Sequence, residues 1–168
     1  LRSYGRADRE HPVFMELKKK YRSIVYKRRL TLPYGRALDC LTGDCPWPET
    51  QIGREIGYAM DFYPDLEPRV FLSYERDSWY APESGLRITF DDAIRFRTAD
   101  LTLDSDLWGT ALLRPDQVLM ELKAPGAIPL WMVRLLTEMG LYKTSFSKYG
   151  TAYQILLEQE YKGGKRYA

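Results

Sequence analysis

One five-residue stretch occurs twice in nearly the same form, as Phe14-Met-Glu-Leu-Lys18 and as Leu119-Met-Glu-Leu-Lys123. Each sets a carboxylate and an ammonium two residues apart between apolar neighbours. Successive side chains of a strand point to opposite faces, so residues i and i+2 share one. Glu16 and Lys18 therefore share a face, as do Glu121 and Lys123. Met15 with Leu17, and Met120 with Leu122, take the reverse. An ordinary barrel keeps its apolar residues inside. Strands of this parity imply a charged interior and an apolar exterior that helices must cover.

The remaining composition narrows the class. With 168 residues the chain is long enough for one domain with a real core. At 45% hydrophobic and 29% charged residues it belongs with folded rather than disordered chains. A net charge of +2 excludes a surface that coats polyanions generally, but 25 basic and 23 acidic residues can still be segregated into a local basic cavity. No apolar run reaches the roughly 18 residues of a membrane span, and no signal-peptide pattern is visible. Cys40 and Cys45 are too few for a disulfide framework or a four-ligand zinc site, and read as free thiols of a cytosolic protein. His11, the one histidine, precedes Pro12 and reads as a surface turn residue, which disfavours a histidine-based triad. The opening Leu1-Arg-Ser-Tyr-Gly5 lacks a methionine and reads as the end of a strand, so the first strands are expected upstream.

Alternation predicts a hairpin, with strands over 13–20 and 24–32 and a turn over Tyr21 to Ser23. The second strand carries charge on both faces, Val25, Lys27 and Arg29 against Tyr26, Arg28 and Leu30, and pattern alone does not orient it. A short helix is expected over 33–41. A second helix follows Thr50 as N-cap, with Ile52, Ile56 and Met60 in one stripe and Pro64 as its stop. Strands are predicted over 69–76, 86–91, 94–103 and 118–123. Pro129 begins a helix to about Met139, where Gly140 caps it, and Gly163 to Arg166 reads as a frayed tail. Trp79, Trp108 and Trp131 read as packing residues, and no P-loop occurs. No boundary marks a second domain.

Five strands can each present charge on one face: Arg2; Glu16 with Lys18 and Lys20; Arg76 beside Tyr74; Arg87; and Glu121 with Lys123. Singly, each is an ordinary solvated face of an antiparallel sheet. Jointly they describe a cavity lined by Arg and Lys. Such a cavity must be wet and must expect a polyanion, because buried cations without partners are prohibitive. Arginine forks and lysine charges match phosphate oxygens, and carboxylates among them suit a divalent metal bridging to phosphate.

At this point the motifs resemble those of the VTC-type polyphosphate polymerase domain, a branch of the CYTH-like triphosphate tunnel enzymes. The matching stretches are Arg2-Ser-Tyr-Gly5, Val13-Phe-Met-Glu-Leu-Lys18, Tyr74-Glu-Arg76, Leu86-Arg-Ile-Thr-Phe-Asp91, Met120-Glu-Leu-Lys123 and Ser145-Phe-Ser-Lys-Tyr-Gly150. The resemblance implies an α+β fold: an antiparallel tunnel barrel with a basic polar lumen and covering helices, over residues 1–150, followed by an extension or tail at 151–168. It implies phosphate binding by Arg2, Lys18, Lys27, Arg76, Arg87, Lys123 and Lys148, with Lys18, Arg76, Arg87 and Lys123 the cations that assist transfer. Lys27 then faces inward. Tyr74 and Ser147 look like hydroxyl donors to phosphate, and Glu121 like the carboxylate for Mn²⁺ or Mg²⁺. The implied ligands are ATP or another nucleoside triphosphate and polyphosphate or pyrophosphate. Nucleic acid is not expected, a membrane-protein partner is left open, and the expected location is cytoplasmic.

Two departures from the family pattern matter. The N-terminal strand with its Glu-x-Lys pair is absent from this sequence, and so is the basic residue expected two positions before Arg2. The barrel is then incomplete and this stretch alone is expected to be inactive. Some relatives also carry another lysine just before Ser147-Lys148, where Lys143 is the nearest here. The expected reaction is transfer of the γ-phosphoryl group to a growing polyphosphate chain by positioning and electrostatics. Its rivals are hydrolysis of triphosphate or nucleoside triphosphate on the same scaffold, and a sensor that only binds polyphosphate or inositol phosphates. A nucleic-acid module is disfavoured by the low net charge and the inward parity of the cations.

Overall fold

A computed structural model describes residues 1–22 and 24–164. The expected turn residue Ser23, the Lys20 side chain, and Lys165 and Arg166 of the expected tail fall outside the described residues. Among the described residues the protein is α+β, with antiparallel sheets and four helices. The chain divides into two compact units, Leu1–Pro68 with Thr102–Asp106, and Arg69–Leu101 with Leu107–Ala168. Among the described residues the strands pair as a two-stranded and a four-stranded sheet, and backbone pairing does not close a barrel.

In the first unit β1 (Pro12–Tyr21) and β2 (Ile24–Pro33) form the expected hairpin, in register from Pro12–Pro33 to Tyr21–Ile24. Arg2 adds one antiparallel bridge to Phe14. The apolar parity is buried as expected, Met15 included: Val13 and Leu32 pack with Tyr34 and Ala37 of α1 (Tyr34–Thr42) and with Ala7 in one core. Each large apolar side chain buried there contributes about 1.5–3 kcal/mol. The segment 102–106 is strapped to this core, since the Leu103 N–H donates to the Tyr34 hydroxyl at 3.1 Å and Ala7 N–H donates to the Leu103 carbonyl at 2.9 Å. Helix α2 (Gln51–Phe62) starts where Thr50 Oγ1 accepts from Gly53 N–H at 3.0 Å, the expected cap. Gly53 has no substitute here, because a Cβ would stand 2.1 Å from the Pro48 carbonyl oxygen. Arg28 reaches α2 by donating to Glu55 at 2.9 Å, which places Arg28 and Leu30 on the helix side and Lys27 and Arg29 on the reverse.

In the second unit β4 (Leu86–Arg97) is the central strand. β3 (Phe71–Ala81) pairs along one edge; β5 (Thr110–Ala111) and β6 (Leu119–Lys123) pair along the other. The separate strand expected over 94–103 does not exist: β4 runs through to Arg97. A β-bulge misleads the pattern there. Glu75 opposes Asp92 but Ser73 opposes Arg95, so β4 advances one residue more than β3, with Ala93 at φ +44°. The odd step carries Ile94 and Phe96 to the face that holds Asp91, and all three are buried.

Helix α3 (Leu130–Glu138) follows Pro129 and stops before Gly140 at φ +65°. The sequence pattern marks no helix after Gly150, yet α4 spans Lys148–Gly164. Gly150 in its first turn and Gly163-Gly164 at its end lower its local helix propensity, and packing of Ala152 and Ile155 against Ile94 and Phe96 supports it. That helix covers the Asp91 face. On the opposite face Trp79 and Phe90 meet edge to face at 5.4 Å and are 54% and 36% exposed, so the expected apolar cover is not found among the described residues of this unit. Trp108 and Trp131 are exposed too, against the packing role expected of them. Among the described residues no helix is long and apolar enough to cross a membrane.

Candidate anion-binding site

Register on β4 assembles the site. Residues directly opposite in an antiparallel pair share a face, so Arg87 aligns with Lys123, Thr89 with Glu121, and Asp91 with Arg76. Four of the cations and carboxylates expected to share a face, Arg76, Arg87, Glu121 and Lys123, therefore do so. Glu121 accepts from Lys123 Nζ at 2.8 Å. The Lys123 hydrogen bond, with Arg76 and Lys148 nearby, holds the Glu121 carboxyl below its ordinary value despite partial burial. Arg87 is exposed, and its cross-strand neighbour is the like charge of Lys123. Like charges directly opposite destabilise a sheet.

The residue that sequence reasoning missed is Asp91. Its side chain is 1% exposed. Arg76 Nε donates to Oδ1 at 2.5 Å and Nη2 donates to Oδ2 at 2.6 Å, a two-pronged grip, and Lys148 Nζ also donates to Oδ2. Burial alone would raise this carboxyl, but the Arg76 and Lys148 hydrogen bonds outweigh it and hold it low. The same bond raises Arg76. The Tyr74 ring lies against both cations, 5.1 Å from the Arg76 guanidinium and 4.5 Å from Lys148 Nζ. So Tyr74, Arg76 and Lys148 are brought together, as expected, but around a carboxylate that no role had been given. The alternation that pairs Arg87 with Thr89 on one face extends to Asp91, which was the available signal. Ser147 Oγ accepts from Gly150 N–H at 3.1 Å and so caps α4. A hydroxyl that accepts there still has its proton to donate.

The hairpin of the first unit repeats the theme. Glu16 Oε1 accepts from Lys27 Nζ at 2.7 Å and from Arg29 Nη2 at 2.6 Å. Burial would raise Glu16, and these two bonds lower it overall. Lys18, exposed, stands directly opposite Lys27, a second like-charged cross-strand pair. Arg2 lies over the Tyr4 ring at 4.9 Å. Cys40 and Cys45 are free thiols with Sγ atoms 2.9 Å apart. Burial, then its neighbour Cys45, pushes the Cys40 thiol up to about 11, the opposite of an activated nucleophile. The His11 ring lies 3.0 Å from the Tyr4 carbonyl oxygen.

For a divalent metal the second unit offers Glu121, half exposed. Asp91 is already saturated by Arg76 and Lys148. Among the described residues no three acidic, histidine or cysteine side chains cluster. One carboxylate fits an ion whose remaining ligands are phosphate oxygens and water. A cavity of about 410 Å³ lined by Phe96, Arg97, Trp108, Gly109 and Gln159 lies at the far end of β4 and includes none of the expected phosphate ligands, so volume does not locate the site.

The antiparallel sheet of the second unit pairs Arg87 with Lys123 in register on one face, beside the carboxylates of Glu121 and Asp91. The chain belongs to the VTC domain family, whose model matches residues 1–157. That membership assigns it to polyphosphate-related chemistry. No curated protein and no solved structure matches the chain significantly.

Proposed function

We propose that this chain is the phosphate-binding body of a nucleoside-triphosphate-dependent polyphosphate polymerase, its strands lining a basic antiparallel tunnel. The observation that carries the reading is Arg87 standing directly opposite Lys123 on one face. Two such cations held against their mutual repulsion are the arrangement that a phosphate chain relieves. In this reading Arg87 and Lys123 take phosphate oxygens, and Arg76 presents the edge that Asp91 leaves free. Tyr74 and Ser147 supply hydroxyls near Lys148. Lys18 and Lys27 serve as phosphate ligands by the same logic of like-charged strand positions, and Arg2 joins them by the family resemblance. A terminal phosphate oxygen of the acceptor attacks the γ-phosphorus, the bond to the β-phosphate oxygen breaks, and nucleoside diphosphate leaves. No side-chain nucleophile enters, so positioning and electrostatics carry the rate. A bound Mn²⁺ or Mg²⁺, held by Glu121 and by phosphate oxygens, would neutralise charge on the departing diphosphate. A cytoplasmic location and a membrane-protein partner belong to the same reading.

A second reading, binding without turnover, has one observation in its favour: Glu121 is engaged by Lys123 at 2.8 Å. Incubation of the full-length protein with ATP and Mn²⁺, followed by gel analysis, separates the readings. Lengthening chains support the polymerase and released phosphate alone supports a hydrolase. Tight triphosphate binding with no turnover under any divalent metal leaves a sensor.

A further inference from the structure

We propose that Asp91 is a positioning residue of the anion site: it cancels one of two adjacent positive charges and pins the Arg76 guanidinium so that only its outer edge meets phosphate. The inference rests on the phosphate-binding reading of this face. Its starting point is energetic. A buried ion pair is commonly no more stabilising than apolar residues of the same volume, so stability alone does not account for a carboxylate 1% exposed beneath two cations. Geometry supplies an account. Asp91 takes the Nε and Nη2 hydrogens of Arg76, at 2.5 and 2.6 Å, and so fixes the plane of the fork. Both hydrogens of Nη1 and one of Nη2 are left uncommitted to it. The Tyr74 ring, 5.1 Å from the guanidinium carbon, stacks against that plane. Lys148 arrives from the first residue of α4, so the same carboxylate ties helix to sheet.

Arg76 and Lys148 together carry two positive charges, and with Asp91 the trio carries one. One register step away on β4 lies Thr89 opposite Glu121, and another step brings Arg87 opposite Lys123. The Arg87 end, with Lys123 and Glu121, also sums to one positive charge, but there Arg87 and Lys123 are exposed, while at the Asp91 end Arg76 and Lys148 are largely covered and held in place. A polyphosphate chain that must advance after each transfer needs this gradation, because uniformly strong sites hold product as firmly as substrate.

The test uses the full-length protein with Asp91→Asn, Lys148→Met and the double variant. Calorimetry with inorganic triphosphate at several salt concentrations gives affinity and charge dependence, and ATP turnover with Mn²⁺ gives the rate. For Asp91→Asn the expected result is triphosphate affinity equal to wild type or tighter, and a salt dependence steeper by about one charge. Turnover at saturating ATP falls by about 100-fold as the fork loses its orientation. The double variant restores the net charge of the trio, so its salt dependence returns to wild type while turnover stays low. Parallel loss of binding and turnover in Asp91→Asn, or wild-type turnover in the double variant, overturns the proposal. If Asp91→Asn alone does not fold, the double variant decides, and its failure to fold as well assigns Asp91 to stability and overturns the proposal. A wild-type protein that binds but never turns over removes the polymerase reading instead. The Asp91 inference is then judged on the salt dependence, and an unchanged slope in Asp91→Asn refutes it.

Discussion

Glu16 and Asp91 each grip two cations on the charged face of a sheet, and they differ in almost every physical respect. Glu16 lies on a hairpin and holds Lys27 and Arg29 from the facing strand, all through Oε1, with both cations about 40% exposed. Asp91 engages both oxygens, is 1% exposed, and draws one partner from β3 and the other from a helix 57 residues away in sequence. The first is a local pairing, its carboxylate 14% exposed and its cations partly hydrated, that two adjacent strands produce by register alone. The second is a buried junction that exists only once β3, β4 and α4 have packed. A wet pairing adjusts cheaply when a ligand arrives, whereas a desolvated junction fixes geometry and is costly to break.

Asp91→Ala should cost about 3 kcal/mol, because it leaves two cations facing each other in a partly dry setting. Glu16→Ala should cost at most about 1 kcal/mol, because Lys27 and Arg29 turn to water. Urea denaturation of the two variants measures both. Equal losses would mean that burial does not distinguish the two carboxylates.

Titration sharpens the comparison next. Both carboxyls lie below their ordinary values of 3.8 for Asp91 and 4.5 for Glu16. A depressed carboxyl contributes stability that is fully present above its unfolded value and is lost as pH falls through its folded value. Thermal stability of the wild type should therefore decline from about pH 4.5 downward, and Asp91→Asn should flatten the part of that decline below pH 3.8. A variant that declines as steeply as wild type there would show that the Arg76 and Lys148 bonds do not depress Asp91.

The like-charged pairs allow a prediction with opposite signs. Arg87→Ala removes repulsion against Lys123, so stability of the free protein should stay level or rise by a few tenths of a kcal/mol. Triphosphate affinity should fall about tenfold, some 1.4 kcal/mol. Lys18→Ala offers the same trial on the hairpin, where Lys18 faces Lys27. A mutation that lowers stability and affinity together would identify a structural cation rather than a ligand-waiting one.

What the sequence made legible follows the same division between local and packed. The hairpin, its turn position, the Thr50 cap and the faces of Glu16, Lys18, Glu121 and Lys123 all depend on strand parity or on residues a few positions apart. Parity is a local property, so it survives folding. Asp91 was legible as a member of the Arg87–Thr89 face but not as a clamp, because nothing near it in sequence names Lys148. The bulge escaped because Ala93 adopts φ +44° without a glycine to announce it, and the strand beyond it changed phase. Helix α4 escaped for another reason: Gly150 near its start and Gly163-Gly164 at its end read as loop and tail, while tertiary burial of Ala152 and Ile155 supports the helix between them.

The smallest expected effect concerns Thr89, one step along β4 from Asp91 and in register with Glu121. It is 5% exposed, and its Oγ1 has no hydrogen-bond partner among the described residues. A buried hydroxyl without a partner costs about 1–3 kcal/mol of desolvation, so its retention on the anion-binding face calls for a compensating contact when ligand is bound. Thr31, on the hairpin strand that carries Lys27 and Arg29, is exposed and serves as the control. Thr89→Val keeps the shape and removes the orphan, so the free protein should melt at the same temperature or slightly higher. Triphosphate affinity should fall several-fold, in the range of one lost hydrogen bond at about 0.5–1.5 kcal/mol. Thr31→Val should move neither. If Thr89→Val gains stability and keeps its affinity, the hydroxyl is only a tolerated cost of strand packing. If it loses affinity while gaining stability, the buried hydroxyl on this face reaches the ligand as well as the exposed cations beside it do.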